Sequence, residues 1–214
     1  MTSQAFTNKL KENFSFNEPI FTEELLKLFS NKSRAQVFRY VENAKENNEL
    51  AQDSIGVYYL PTVTFLGTQS KISSEEVARK KYIGNDTDRY GVYSGIELLN
   101  RFGMTTQMAA TVTIVTNKES SKKRMIVLNG RRFILKKSRC KITKENFAYY
   151  TLFELFNCMG KDEKVNKDAK RRILDYMKNN KMDVMQICNM AKCFPSKAVK
   201  KFMNSGVIYD FVGW

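Results

Sequence analysis

Apolar residues recur at helical spacing in two early stripes, Leu25, Leu26, Leu28 and Phe29, then Val37, Phe38, Tyr40, Val41 and Ala44. The polar break Ser30-Asn31-Lys32-Ser33 separates them. Thr22, followed by Glu23 and Glu24, predicts an N-cap and an acidic first turn for a short helix ending near Phe29. Asn31 is the expected N-cap of the second helix, and Ser33 serves if that helix starts later. Two short strands, residues 49–52 and 56–60, are expected around the turn Asp53-Ser54-Ile55-Gly56. Helix, turn, helix, hairpin is the order of a winged helix-turn-helix.

Beyond residue 60 the pattern changes. Residues 61–72 read as a crossing between domains, with Pro61 ending a strand and Gly67 marking a turn. Ser73 and Glu76 form a capping-box pair for a helix reaching about Tyr82. Ile96, Leu98, Leu99 and Phe102 predict a helix stopped by Gly103, and Val112, Ile114 and Val115 among threonines predict a strand. Asn129-Gly130 between two apolar runs is the signature of a two-residue type I′ hairpin. Pairing about it places Ile126, Leu128, Phe133 and Leu135 on one face with Arg124 and Arg131. Met125, Val127 and Ile134 fall on the other with Lys123, Arg132 and Lys136. Residues 144–159 predict a core helix whose aromatic residues serve packing. Helices over residues 168–179, 184–191 (capped by Asp183) and 196–203 (opened by Pro195) complete the chain, with an apolar tail packing back. The last two resemble another helix-turn-helix, although a bundle cap is the commoner arrangement.

The expected fold is therefore α+β: an N-terminal winged helix-turn-helix over 1–66, then a basic mixed α/β domain over 73–214 with a β-hairpin and C-terminal helices from about residue 161. A length of 214 residues fits two domains.

Charge sharpens this division. The chain has 36 Lys+Arg against 22 Asp+Glu, a net charge of +14, which favours polyanionic partners. Residues 1–70 hold seven basic and eight acidic side chains, net −1, and the remainder holds 29 and 14, net +15. Within the second helix the order is inverted: Lys32, Arg34 and Arg39 lie toward its start, and Glu42, Glu46 and Glu49 toward its end. The macrodipole opposes that order by roughly 0.3–1 kcal/mol per exposed charge. A helix that enters the major groove by its first turns needs that polarity, because late carboxylates stay clear of phosphates. Lys32, Ser33, Arg34, Gln36 and Arg39 are the candidate DNA-binding residues, with Lys32, Gln36 and Arg39 at base edges and Arg34 and hairpin residues at phosphates. RNA binding or docking of a protein, without operator specificity, is the alternative use of such a module. Between Glu119 and Glu145 lie ten basic residues and no acid. Of these, Lys122, Lys123, Arg124, Arg131, Arg132, Lys136, Lys137 and Arg139 are candidates for binding a polyanion or an acidic partner.

Other chemistries are disfavoured. Histidine is absent, which removes the commonest general base and every His-containing zinc site. Neither G-x-x-x-x-G-K-[ST] nor G-x-G-x-x-G occurs. No catalytic residue, metal or cofactor is expected, and the protein reads as non-enzymatic. Cys140, Cys158, Cys188 and Cys193 include no C-x-x-C pair and read as buried thiols. No apolar run approaches the ~20 residues of a spanning helix and no signal peptide is recognisable, so a cytoplasmic protein without membrane contact is expected.

Two further stretches carry a family likeness: Gly56-Val57-Tyr58-Tyr59, and Tyr93-Ser94-Gly95 through Gly103-Met104-Thr105-Thr106-Gln107. Their order and spacing, after a winged helix and before a Thr- and Val-rich strand, resemble the AbiEi family of abortive-infection antitoxins over roughly residues 17–159. The resemblance implies a two-domain transcriptional repressor of its own operon, binding operator inverted repeats. It also implies a neighbouring nucleotidyltransferase-like toxin that the protein counteracts, by contact or through the toxin's RNA target. The winged helix is implied to hold the DNA, and the C-terminal region to be required for antitoxicity.

Overall fold

A computed structural model describes residues 3–85, 87–161 and 163–213. The described residues are mixed α+β, with two small sheets, and the chain divides into two compact units, Met1–Val77 and Ala78–Trp214. That division falls later than the 66–73 boundary expected from the sequence. Residues 61–72 fold onto the first unit: Tyr59 Oη donates to Ser70 O at 3.0 Å, and Gln69 Nε2 to Asn48 Oδ1 at 3.2 Å.

The first unit runs α1 (Ser3–Asn13), β1 (Ile20–Phe21), α2 (Thr22–Leu28), α3 (Arg34–Glu46), β2 (Ala51–Ser54) and β3 (Val57–Tyr59). The strands form an antiparallel sheet in the order β1-β3-β2, with Ile20 opposite Tyr58 and a bulge between Gln52 and Ser54. Helix α1 buries Phe6 and Leu10, one turn apart, and Phe6 stacks on Phe29 at 4.6 Å and on Tyr40 at 5.6 Å. Together with Leu25, Val37, Val41 and Leu50 these side chains make one continuous core.

Both helix starts differ from expectation by a residue or two. Thr22 is the first helical residue and not the N-cap, because Phe21 is still extended and paired with Val57. Glu24 instead reaches back to accept the Phe21 amide at 2.8 Å. Ser33, not Asn31, caps α3, which leaves Lys32 outside the helix.

Helix α4 (Ser74–Ala78) spans the division, and the second unit opens with a π turn, Arg79–Ile83. There follow β4 (Gly91–Ser94), α5 (Gly95–Arg101), β5 (Thr111–Thr116), β6 (Arg124–Leu128) and β7 (Arg131–Lys137), then α6 (Phe147–Cys158), α7 (Lys167–Asn179), α8 (Val184–Ala191), α9 (Ser196–Asn204) and α10 (Val207–Val212). The sheet order is β4-β5-β7-β6, antiparallel except that β5 and β7 run parallel. Strand β7 of the Asn129-Gly130 hairpin therefore lies inside and β6 forms the edge. Both turn residues have positive φ, 47° and 77°, as a type I′ turn requires.

One sheet face buries Val112, Ile114, Phe133 and Leu135 against Ala78, Tyr82 and Ile83. The other packs Val92 and Val115 toward α5 and α6. Helix α6 is the centre of the unit. Its Phe153 and Phe156 meet Phe202 of α9 at 5.3 and 5.2 Å, and its Tyr150 meets Phe194 at 4.9 Å. Helices α8 and α9 are thus the bundle cap, and Lys201 donates to the carbonyls of Met159 and Gly160 just past α6. The tail forms α10, with Val207 buried and Asp210 paired to Lys170 at 2.8 Å; Trp214 lies outside the described residues.

The Tyr93-Ser94-Gly95 stretch has a structural task. Ser94 is buried and its hydroxyl donates to the buried Glu154 at 2.6 Å, and the Gly95 amide donates to Cys158 Sγ at 3.0 Å. Gly95 turns strand into helix at φ 65°, a left-handed conformation that other residues resist. The motif fastens β4 and α5 to α6.

The cysteines are less uniform than expected. Cys140, Cys158 and Cys193 are half-buried against the α6 core, whereas Cys188 is exposed on α8. Burial, reinforced by Cys193, pushes the Cys140 thiol up to about 12, and burial with nearby Glu154 pushes Cys158 up to about 11. Alkylation by iodoacetamide at pH 7.5, followed by peptide mass spectrometry, is expected to label Cys188 first and leave Cys140 and Cys158 unmodified until the protein is denatured.

Candidate nucleic-acid interface

The first candidate surface is the start of α3. Its core face, Val37, Val41 and Ala44, is buried, which turns Ser33, Arg34, Ala35, Gln36 and Arg39 to solvent. All five are exposed; Lys32 is half-buried in the turn from α2, its amide bonded to Phe29 O at 2.9 Å. The carboxylates collect at the opposite end, where Glu42 holds Lys45 at 3.0 Å and Lys45 also reaches Gln52 of β2. The cationic start and anionic finish read from the sequence are therefore both on the surface.

Two local contacts shape what this surface can do. The Ser33 hydroxyl accepts the Gln36 amide at 3.3 Å, and the Gln36 side-chain carbonyl accepts the Ser33 amide at 3.2 Å, a closed capping box. Gln36 is thus anchored by its carbonyl and presents its NH₂ group. Arg34 lies along the helix with its guanidinium 5.4 Å from the Phe38 ring. The β2–β3 turn carries Ile55, 98% exposed, and offers no lysine or arginine. Phosphate contacts from that hairpin, expected from the sequence, therefore fall to backbone and to exposed neutral side chains such as Ser54 and Gln52.

The second candidate surface is the β6–β7 hairpin. On its outer face Met125 and Val127 are more than half exposed, beside Lys123 and Arg132. Lys122 and Lys137 are also exposed, whereas Lys136 and Arg131 are half-buried. Several of the candidate residues are engaged within the unit, among them Arg131, whose guanidinium lies 6.0 Å from the Phe133 ring. Arg124 pairs at 2.6 Å with Glu119, a carboxylate that is almost wholly buried and also accepts the Ser120 and Ser121 amides. Arg139 lies along Phe194 at 5.9 Å, and its amide donates to Tyr150 Oη. The count of ten cations without an acid overstated this ribbon, because the bounding Glu119 folds back into it.

The Ser121 amide and the Arg124 guanidinium hold Glu119 below the ordinary glutamate value of 4.5. A carboxylate depressed in the folded state adds stability above its unfolded pKa and loses it as pH falls through the folded one. Arg124→Ala is expected to raise the Glu119 pKa while leaving it below 4.5, since the backbone donors remain. Carboxyl NMR titration reads this directly, and the acid limb of urea melts moves to higher pH with it.

Among the described residues, no three Cys, Asp or Glu side chains converge as a metal site, and no helix is long and apolar enough to cross a membrane. No protein-family model matches the chain, and no curated protein sequence matches it significantly.

Proposed function

We propose that the protein is a cytoplasmic, non-enzymatic DNA-binding antitoxin: a winged helix over the first unit binds operator inverted repeats and represses its own operon, and the basic second unit counteracts a nucleotidyltransferase-like toxin. The observation that carries the DNA-binding part is the exposed Ser33–Arg39 face at the start of α3, cationic and amidic where its later turns are anionic. The element order α1-β1-α2-α3-β2-β3 with a three-stranded antiparallel sheet supports the winged-helix reading. In this reading Arg39 and the Gln36 amide face base edges, Arg34 and the uncapped amides of the first turn meet phosphates, and Lys32 adds charge at the turn. The exposed cations of the hairpin, Lys122, Lys123, Arg132 and Lys137, supply affinity for RNA or for an acidic protein surface.

One feature favours a second reading. The apolar Ile55 at the hairpin tip, with no cation beside it, suits protein docking better than phosphate contact. A reporter driven by the DNA just upstream of the protein's own reading frame separates the two. Repression that an Arg34→Ala/Arg39→Ala variant relieves supports the operator reading; no repression by the wild type transfers the module to docking. Co-expression with the adjacent reading frame tests antitoxicity separately.

A further inference from the structure

Three sulfur atoms from two distant stretches of the chain meet at one place in the second unit. Cys140 Sγ, in the segment that leaves β7, donates to Met190 Sδ of α8 at 3.9 Å and also interacts with the Cys193 thiol in the turn from α8 to α9. Met190 is buried and both cysteines are half-buried, so the cluster sits at the rim of the α6 core, within reach of solvent. None of the three side chains belongs to either basic surface.

Both stretches are held in place by the fold itself. On one side of Cys140 the Arg139 amide donates to Tyr150 Oη of α6 at 2.9 Å; on the other, Asn117 Oδ1 accepts the Ile142 amide at 2.9 Å and Asn117 Nδ2 donates to Ile142 O at 2.7 Å. Met190 and Cys193 lie three residues apart, and the Cys193 amide closes on Met190 O at 3.0 Å, a spacing that brings both side chains to Cys140. Phe194, next in sequence, packs on Tyr150 at 4.9 Å, so one α6 side chain steadies both stretches. Ligands fixed in this way need little reorganisation to bind a metal. Thiolate and thioether are soft donors that select ions such as Cu(I). A metal about 2.3 Å from each of three sulfurs in one plane holds those sulfurs about 4.0 Å apart. The 3.9 Å between Cys140 and Met190 matches that spacing. Tetrahedral zinc asks for four ligands, whereas Cu(I) is satisfied by three.

We infer that Cys140, Cys193 and Met190 form a three-coordinate, all-sulfur site for Cu(I). Binding replaces the two S–H protons by the metal: one Cu(I) and two thiols give a bis(thiolate) centre and two released protons. The thioether is the neutral third ligand, and copper keeps its oxidation state. The centre carries one negative charge, and Arg139, adjacent to Cys140 and lying along Phe194 at 5.9 Å, supplies a cation beside it. The site lies in the second unit and does not depend on DNA binding by α3.

Anaerobic titration of the reduced full chain with the coloured Cu(I)–bicinchoninate complex tests it. The expected result is withdrawal of one equivalent of Cu(I) from the chelator, and copper X-ray absorption of the loaded protein then shows a shell of three sulfurs. Cys188→Ser, on the exposed thiol of α8, is expected to leave uptake unchanged, and Cys140→Ser and Cys193→Ser to abolish it. Met190→Leu keeps the buried volume and so the fold. It is expected to weaken binding at least as much as loss of an outer-shell partner does, about tenfold, and it carries the test if either serine variant unfolds. Failure to withdraw Cu(I) from the chelator overturns the inference. So does uptake that survives in a folded Cys140→Ser or in Met190→Leu at wild-type strength, uptake lost in Cys188→Ser, or a shell of two sulfurs.

Discussion

Arg39→Glu is expected to weaken binding to the upstream DNA by roughly tenfold to a hundredfold and to leave thermal stability nearly unchanged. The side chain is exposed on the face of α3 opposite Val37 and Val41, so no core contact is lost. Removing a base-contacting arginine costs about 1–3 kcal/mol of binding free energy, and a carboxylate in its place adds repulsion from the phosphates. Arg34→Glu, next to the Ser33 cap, is expected to act differently: a phosphate contact is lost for every sequence alike, and the salt dependence flattens by about one counterion. Anisotropy titrations on upstream and scrambled duplexes at two salt concentrations distinguish the two effects. An Arg39→Glu protein with wild-type affinity and preference removes α3 from the interface.

The largest stability effect is expected at Phe153, which is fully buried in α6 between Phe194 at 5.6 Å and Phe202 at 5.3 Å. Truncation to alanine removes a ring that joins α6 to α9 and to Phe194 between α8 and α9, and cores of this kind collapse only partly into the space. The expected cost is about 3–5 kcal/mol, a large share of a typical total of about 5–15 kcal/mol. Urea denaturation followed by circular dichroism measures it. The comparison is Met203→Ala on the exposed side of α9, which is expected to change little. Equal effects at both positions contradict the packing described for α6.

Much of this architecture was legible in the residues. The spacing of Val37, Val41 and Ala44 predicted the buried face of α3, and Asn129-Gly130 predicted both the turn and the pairing of Ile126 with Phe133. Asp183 caps α8 as its position suggested, through the Gln186 amide at 2.9 Å. Helix α1 was missed although Phe6 and Leu10 carry its signal, because two apolar residues in a polar stretch become a core face only once Phe29 and Tyr40 are in place. Strand β4 was hidden for a similar reason: Gly91-Val92-Tyr93-Ser94 is too short to show alternation and is fixed by β5 and Glu154, distant in sequence.

The site was legible in part. Side-chain exposure on α3 follows from periodicity, but whether Asn31 or Ser33 caps it depends on the exact length of the preceding turn, and that choice decides the fate of Gln36 and Lys32. Composition alone also placed Arg124 among the hairpin cations, since charge counts do not reveal that Glu119 is buried against it. Nor did the sequence show that Arg79, Arg89, Arg101 and Arg172, spread over more than ninety residues, come to line one cavity of the folded second unit.

Gln36→Glu gives the most direct test of the α3 surface. Glutamate preserves the capping box and suits a helix N-terminus, so the melting temperature is expected to hold or rise slightly. The same change places a carboxylate where DNA is proposed to lie. Fluorescence anisotropy of the wild type and this variant, with the upstream duplex, scrambled duplex and bulk tRNA at two salt concentrations, is the deciding measurement. Tighter binding of the upstream duplex by the wild type is expected, with loss of that preference in a variant that is as stable and still binds tRNA. Equal binding to all three nucleic acids, unchanged by Gln36→Glu, would contradict it.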